Sequence, residues 1–189
     1  SLEFVASHNL DMTADGEKHY GAIAYVNLEN DKSIRLETLL STKDNPLLLV
    51  LDGVTDGRNL GACFRVAEAF GVDAIIVPKN RSASLSSGVL KAASGSADRV
   101  NFIQVTNLAR ALSTIKSKGI RIVGFSNSAT FELPSCELNM GVALVFGGEG
   151  QGLRRLSREL CDDLVVVPMC GQVESLNISV AVGIALYEC

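Results

Sequence analysis

Histidine is almost missing from this chain. The two present, His8 and His19, both precede the dense apolar part of the sequence, which argues against a histidine-based catalytic triad or metal cluster. Cysteine occurs but is never paired at short range. Cys63, Cys136, Cys161, Cys170 and Cys189 are odd in number, widely spaced and form no C-x-x-C. Neither a zinc site nor a disulfide framework fits that pattern, no metal is expected, and reduced thiols of a cytoplasmic protein are the simplest account. No window approaches the ~20 apolar residues of a membrane span, so no membrane is expected as a partner. The mixed, polar opening residues are not a signal peptide. Positive charge is not in excess either: 17 Lys and Arg stand against 21 Asp and Glu, a net charge of -4. That argues against a surface that simply coats nucleic acid, while leaving room for a local basic patch.

What is present is a good-sized globular domain. The chain has 189 residues, 47% of them hydrophobic, enough for one core of its own. It begins at Ser1 and stops at Cys189 inside an apolar helical stretch, as an excised piece of a longer protein would. Residues 1–45 read as a leader of lower order, punctuated by turn formers at Asp15-Gly16, Asn30-Asp31 and Asp44-Asn-Pro46. Within it, Tyr20 to Leu28 suits one strand and Ile34 to Leu40 a short helical turn.

Order begins at Pro46. Buried strands are expected at Leu47–Leu51, Asp73–Pro78, Val100–Val105, Ile120–Phe125, Gly141–Phe146 and Leu164–Val167, each a short run of apolar, mostly branched residues. Between them lie helical patterns. Leu60, Cys63, Phe64, Ala67 and Phe70 recur at helical spacing and end at Gly71. Leu108, Ala111, Leu112 and Ile115 do the same and end at Gly119. Ser84–Ala93 and Leu153–Leu160 are weaker helices, and Thr130–Asn139 is irregular. A last helix from about Asn177 is apolar on almost every side (Ile178, Val180, Ala181, Val182, Ile184, Ala185, Leu186), which predicts burial on more than one face. Strands alternating with helices give an α/β fold, a parallel sheet with helices on both faces.

In such sheets ligands bind beyond the carboxyl ends of the strands. Three loops there are polar or glycine-rich: Asp52–Asn59, Gly147–Gly152 and Gly171–Asn177. The second, Gly147-Gly-Glu-Gly-Gln-Gly152, is neither G-x-G-x-x-G nor a Walker A loop. Four glycines in six residues imply close backbone approach or positive φ, and Glu149 is the one charge among them. Asn59 reads equally well as a helix cap and as a site residue, and Arg65, six residues on, as a solvated charge or a site residue. Arg154, Arg155 and Arg158 form a small basic cluster. With Arg58, Lys79, Arg81 and Lys91 they offer phosphate contacts, although each taken singly reads as a solvated charge.

Taken together, the three loops resemble the three motifs of the SpoU (TrmH-like) RNA ribose 2'-O-methyltransferases of the SPOUT superfamily. The first is Leu51-Asp-Gly-Val-Thr-Asp-Gly-Arg-Asn-Leu-Gly-Ala-Cys-Phe-Arg65, the second Leu144-Val-Phe-Gly-Gly-Glu-Gly-Gln-Gly-Leu-Arg154, and the third Val167-Pro-Met-Cys-Gly-Gln-Val-Glu-Ser-Leu-Asn-Ile-Ser-Val-Ala181. The resemblance covers about residues 46–188. Val77–Ser82 and Val105–Arg110 resemble the bacterial branch that methylates a guanosine of 23S ribosomal RNA. The family usually has Pro where Gly57 stands, so a looser turn is expected there.

The resemblance implies a parallel-sheet SPOUT fold with a C-terminal trefoil knot, and a homodimer whose interface includes the closing helix. It implies S-adenosylmethionine as methyl donor and RNA as acceptor. Residues 46–189 would be the catalytic domain, after a leader too short for the RNA-binding domain that the ribosomal RNA branch carries. This chain alone would therefore bind cofactor yet methylate RNA poorly, since backbone affinity comes from neutralised phosphates. By resemblance, Gly147, Val167, Met169 and Leu176 hold the cofactor with Phe125 near its adenine. Asn59, Arg65, Glu149, Ser175 and Asn177 form the catalytic, RNA-facing set. Family proposals make Arg65 the base. An arginine with a pKa above ~12 is a poor base, so a phosphate- and alkoxide-stabilising role suits it better. Two alternatives remain: a transfer RNA ribose methyltransferase, and an RNA-binding or ribosome-assembly factor without catalysis.

Overall fold

The computed structural model describes residues 2–16, 18–25, 34–136, 138 and 141–189. The chain divides into two compact units, Ser1–Asp31 and Lys32–Cys189. The first contains one helix, α1 (Ser7–Ala14), with no buried residue. The His19 imidazole contacts the Asp11 carboxylate at 2.9 Å. The strand expected at Tyr20–Leu28 is absent from its described part: Tyr20 and Tyr25 are exposed and no strand includes residues 20–25. Val26 to Leu28, and the turn at Asn30-Asp31, lie outside the described residues.

The second unit is built on a seven-stranded sheet: β1 (Leu47–Asp52), β2 (Ala74–Pro78), β3 (Asn101–Val105), β4 (Arg121–Phe125), β5 (Phe131–Glu132), β6 (Val142–Gly147) and β7 (Asp163–Val166). Its order is β3-β2-β1-β6-β4-β7-β5 and every pairing is parallel. Six of these strands were expected. The seventh, β5, is two residues at the edge, inside the stretch read as irregular, and too short to leave a periodic signal.

The strands read as continuous apolar runs because both faces are covered. Leu49, Leu51, Ile75, Val77, Val123, Leu144 and Phe146 point into one core. Leu48, Val50, Ala74, Ile76, Ile122, Ala143 and Val145 point into the other. The first core is covered by α3 (Gly57–Ala69), α4 (Ser87–Ala93) and α7 (Ile178–Tyr187). The second is covered by α2 (Leu36–Thr42), α5 (Leu108–Ser117) and α6 (Arg155–Leu160). Leu36, Leu39 and Leu40 of α2 are buried in the second core. The helical turn expected at Ile34–Leu40 therefore belongs with the sheet, and the compact unit starts before the 45/46 boundary drawn from composition.

Local chemistry sets the helix ends. Asp56 accepts from the Arg58 amide (2.8 Å), Asn107 from that of Arg110 (3.0 Å) and Asn177 from that of Ser179 (2.9 Å), each satisfying an orphan donor of the first turn. Gly71 and Gly119 follow α3 and α5 at φ +70° and +76°, where a Cβ is disfavoured. Gly57 is the first residue of α3 rather than part of a slack turn. The helix start is fixed by the Asp56 cap, so the looser turn expected there does not form.

The closing helix departs from expectation in one respect. Ile178, Val182, Ala185 and Leu186 are buried, but Val180 is 50% and Ile184 37% exposed in the single chain, and Tyr187 is exposed against Phe70 with ring centroids 6.5 Å apart. The helix ends at Tyr187, capped at Glu188, so Cys189 follows it rather than interrupting it.

All five thiols are free. Burial pushes Cys63 and Cys161 up to about 12, which leaves about one thiolate in 10⁴ at pH 8. Cys170 is exposed. A thiol reagent at pH 8 should label Cys170 within minutes and leave Cys63 and Cys161 intact until denaturant is added, read by intact mass and peptide mapping.

Candidate active site

The ends of β1, β6, β4 and β7 stand side by side. Asp52 is in register with Gly147, and Phe125 with both Phe146 and Val165. Here the sheet order turns from β1 outward to β2 in one direction and to β6 in the other. Such a point leaves a crevice at the carboxyl edge. Beside that point, across the ends of β6, β4 and β7, lies a cleft of about 630 Å³, within the range of small-molecule sites.

Its floor is apolar. The Phe125 and Phe146 rings stack with centroids 4.1 Å apart, and Val165, Val167, Met169, Leu176 and Ile178 complete the lining. One wall is the glycine loop. Gly148 donates its amide to the Asp52 carbonyl (2.9 Å), and Gly152 donates to the Gly148 carbonyl (3.0 Å). The loop folds so tightly that a Cβ on Gly147 would overlap the Gly152 carbonyl and the Leu153 nitrogen, while one on Gly148 would overlap the Gly53 carbonyl. Close backbone approach therefore accounts for the glycines at 147 and 148, and positive φ for those at 150 and 152.

The opposite wall is the segment between β7 and α7. Asn127 donates to the Glu174 carbonyl (2.8 Å). Arg158 from α6 donates to the hydroxyls of Ser126 (2.6 Å) and Ser128 (3.1 Å). These bonds hold the loop after β4 against the cleft. Phe125, Gly147, Val167, Met169 and Leu176 all line it, as do Glu149, Ser175 and Asn177.

At its rim a polar chain links all three loops. The Asn177 amide donates to the Asn59 side-chain oxygen (2.9 Å), the Asn59 amide donates to the Glu149 carboxylate, and the Asn177 oxygen accepts from the Ser179 amide (2.9 Å) and hydroxyl (2.7 Å). The direction of each bond follows from the one before it. A carboxylate only accepts, so Asn59 presents its NH2 to Glu149 and its oxygen to Asn177. Residues 90 and 118 positions from Asn59 are thus fixed to it.

Arg65 is not brought to this cluster within one chain. It lies about 240° around α3 from Asn59 at 100° per residue, is exposed, lines neither cleft, and makes no hydrogen bond or ion pair among the described residues.

The three arginines read as one basic cluster do three different things. Arg155 pairs with Glu159 on the surface (2.6 Å), Arg158 holds the serines, and Arg154 pairs with Asp52. Asp52 is the residue that pattern reading missed. It is 1% exposed and accepts from the Arg154 backbone amide (3.3 Å) and from its guanidinium. Its signal was available: a lone carboxylate closing an otherwise apolar strand.

Comparison with known proteins places this geometry. The sequence pattern of the SpoU rRNA Methylase family matches residues 46–187. A Pasteurella multocida protein named 23S rRNA (guanosine-2'-O-)-methyltransferase RlmB is 50% identical over 190 residues, covering 100% of this chain and 78% of that one. Its counterpart in Vibrio parahaemolyticus is 49% identical over 193 residues, with 100% and 76% coverage. Among solved structures, the SpoU methyltransferase AviRb from Streptomyces viridochromogenes, in complex with AdoMet, superposes with a TM-score of 0.72 at 25% identity, covering 78% of this chain and 57% of that one. The A. aeolicus TrmH/SpoU tRNA modifying enzyme gives a TM-score of 0.69 at 30% identity, with 81% and 78% coverage. With its parallel sheet, its three loops at one edge and a family match over residues 46–187, this chain belongs to the SpoU rRNA methylase family.

Proposed function

We propose that this protein transfers the methyl group of S-adenosylmethionine to a ribose 2'-hydroxyl of RNA, in a guanosine of 23S ribosomal RNA. The observation that carries the reading is that Glu149 and Asn177 belong both to the lining of the cleft and to the polar chain through Asn59. A donor in the cleft and a hydroxyl at its rim would then meet at one place. Relatives named for 23S ribosomal RNA at 50% identity support that target over transfer RNA, for which the A. aeolicus enzyme stands at 30%. The unbroken Asn59–Glu149–Asn177 chain favours an enzyme over an assembly factor that keeps only the fold.

The residues fit the cofactor. The cleft has the volume for it and an apolar aromatic floor for an adenine at Phe125, and the half-buried Gly147, Val167, Met169 and Leu176 in its lining would offer their backbone for polar contacts. The sulfonium supplies an activated methyl, so the protein need not activate a leaving group. What remains is alignment, worth orders of magnitude in rate, and help for the hydroxyl in losing its proton. In this reading Asn59, Ser175 and Asn177 orient the ribose, Glu149 fixes Asn59 and adds negative potential beside the sulfonium, and Arg65 stabilises phosphate and alkoxide.

Within one chain Arg65 faces away from Asn59, so that role requires a homodimer. Val66 beside it packs on Gly183, and Phe70 lies against Tyr187, which follows Val180 and Ile184 along the exposed face of the closing helix. A second copy seated on this apolar face would meet Arg65. The same proposal makes residues 46–189 the catalytic segment, with α2 from the preceding 1–45 stretch packed onto its second core, the closing helix the thread of a trefoil knot, and the cytoplasm the place of work. Among the described residues no helix is long and apolar enough to cross a membrane.

Incubation of the protein with tritiated S-adenosylmethionine and 23S ribosomal RNA, followed by digestion to nucleosides, should yield labelled 2'-O-methylguanosine, at a slow but measurable rate for this chain alone. Label in a base-methylated nucleoside, or tight cofactor binding with no transfer to any RNA, would refute the reading.

A further inference from the structure

Behind the glycine loop lies a second cleft of about 260 Å³, which shares only Glu149 with the polar chain. Gly148, Glu149, Gln151 and Gly152 line both clefts, so anything held in the smaller one sits a single loop's thickness from the larger. Its remaining walls are the end of β1 with Thr55, the Arg154 side chain, and Arg81.

The charges there are unequal in what they have left to offer. Arg154 is committed to the buried Asp52 carboxylate, and Glu149 to the Asn59 amide. Arg81 makes no ion pair or hydrogen bond among the described residues, so its charge is uncompensated. Its backbone is also unusual. Arg81 stands at φ +61°, a left-handed conformation that costs a residue with a side chain on the order of 1–2 kcal/mol. The neighbouring Ser82 hydroxyl is buried without a hydrogen-bond partner, so the turn is not held by its own side chain. It is held from outside: the Ala83 amide donates to the Val54 carbonyl at 2.8 Å, which ties the turn to the loop after β1. A strained turn fixed to the site, bearing an exposed and uncommitted arginine that lines a small cleft, points to function.

We infer that this cleft is a phosphate subsite, in which Arg81, with the Thr55 hydroxyl and the Gln151 amide, receives a phosphodiester of the RNA strand next to the reacting ribose. The assignment rests on the RNA methyl-transfer reading. Guanidinium matches a phosphate's planar pair of oxygens, and the volume suits a phosphate with part of its sugar rather than a second cofactor. A phosphate held behind the glycine loop would fix the register of the strand, while Asn59 and Asn177 face its ribose. Phosphate contacts of this kind position a nucleic acid without reading its sequence.

The test compares wild type, Arg81→Gly, Arg81→Lys and Lys118→Ala. Glycine removes the charge and also relieves the left-handed strain, so loss of folding does not confuse the result. Lys118 is an exposed cation at the end of α5 that leads into the amino end of β4, the opposite edge of the sheet. Binding of a fluorescent 23S ribosomal RNA fragment is measured from 50 to 300 mM KCl, with S-adenosylhomocysteine affinity and methyl transfer measured in parallel. Arg81→Gly should weaken RNA binding roughly five- to tenfold at 0.1 M salt, flatten the log–log salt slope by about 1 and raise KM for RNA, with S-adenosylhomocysteine affinity unchanged. Arg81→Lys should stay within about twofold of wild type, as should Lys118→Ala. RNA binding by Arg81→Gly equal to wild type, or an equal loss in Lys118→Ala, overturns the assignment while leaving the methyl-transfer reading intact. A wild type that binds cofactor but neither binds nor methylates RNA overturns both.

Discussion

Asn59→Asp should lower kcat for methyl transfer by about 10²–10³-fold while changing S-adenosylhomocysteine affinity less than about threefold. The substitution is nearly isosteric, so the fold around α3 is kept. It exchanges the NH2 that faces Glu149 for a carboxylate oxygen. Two carboxylates then face one another where an amide and a carboxylate stood, and like charges in contact cannot both stay ionised at no cost. The polar chain must part or take up a proton, and either outcome turns Asn177 away from the ribose. The magnitude is that of losing one preorganised polar group at a reacting centre. The split between kcat and cofactor affinity follows from position, since Asn59 does not line the cofactor cleft. Single-turnover transfer and calorimetric titration with S-adenosylhomocysteine read the two effects separately. Loss of both together would mean that Asn59 supports the cleft rather than the chemistry.

Arg154→Met should cost about 3 kcal/mol of stability and lower Tm by roughly 10 °C. Asp52 is 1% exposed and its guanidinium partner would be gone, leaving a buried carboxylate with one backbone amide contact and no counter-charge. Removing one member of a buried pair costs about 3–5 kcal/mol. The lower end applies because the Arg154 side chain is 39% exposed and the pair is partly screened. For a chain of this size each kcal/mol moves Tm by about 2–4 °C. Pairing the change with Asp52→Asn should restore more than half of the loss, because the uncompensated charge disappears with it. Cofactor affinity should fall in the single variant and recover only in part in the double, because the pair also anchors the glycine loop that forms one wall of the cleft. Chemical denaturation of the four proteins closes the cycle.

Most of the sheet was legible in the sequence because burial on both faces leaves continuous runs of Leu, Ile and Val between glycine and aspartate turns. The carboxyl ends of α3 and α5 were legible because a left-handed glycine is local chemistry, whereas the start of α3 was not: Asn59 read as a possible cap, and Asp56 caps a helix that already contains Asn59. The position of the site was legible as well: glycines packed four in six residues at a strand end answer to a backbone crossing that admits no Cβ. Long-range pairing was not legible. Nothing near Asp52 in the sequence says that its partner is 102 positions away. Nothing in the run Arg154, Arg155, Arg158 says that three like charges separate into a buried pair, a surface pair and a clamp on two serines.

The closing helix was readable in composition but not in consequence. Its all-round apolarity predicts burial, and within one chain Val180, Ile184 and Tyr187 remain exposed. Apolar residues gathered on one exposed helix face mark an interaction surface, which is why the homodimer belongs to the proposal. Arg65 shows the same limit. The resemblance put it in one site with Asn59, whereas within one chain helical geometry sends the two side chains in different directions.

The most direct test of methyl transfer to ribose is mass-spectrometric mapping of ribose methylation in 23S ribosomal RNA from cells with and without the gene. The account predicts that one 2'-O-methylguanosine disappears in its absence and returns with the wild-type gene but not with Asn59→Asp. An unchanged 23S map, or a methyl lost from transfer RNA instead, would contradict it.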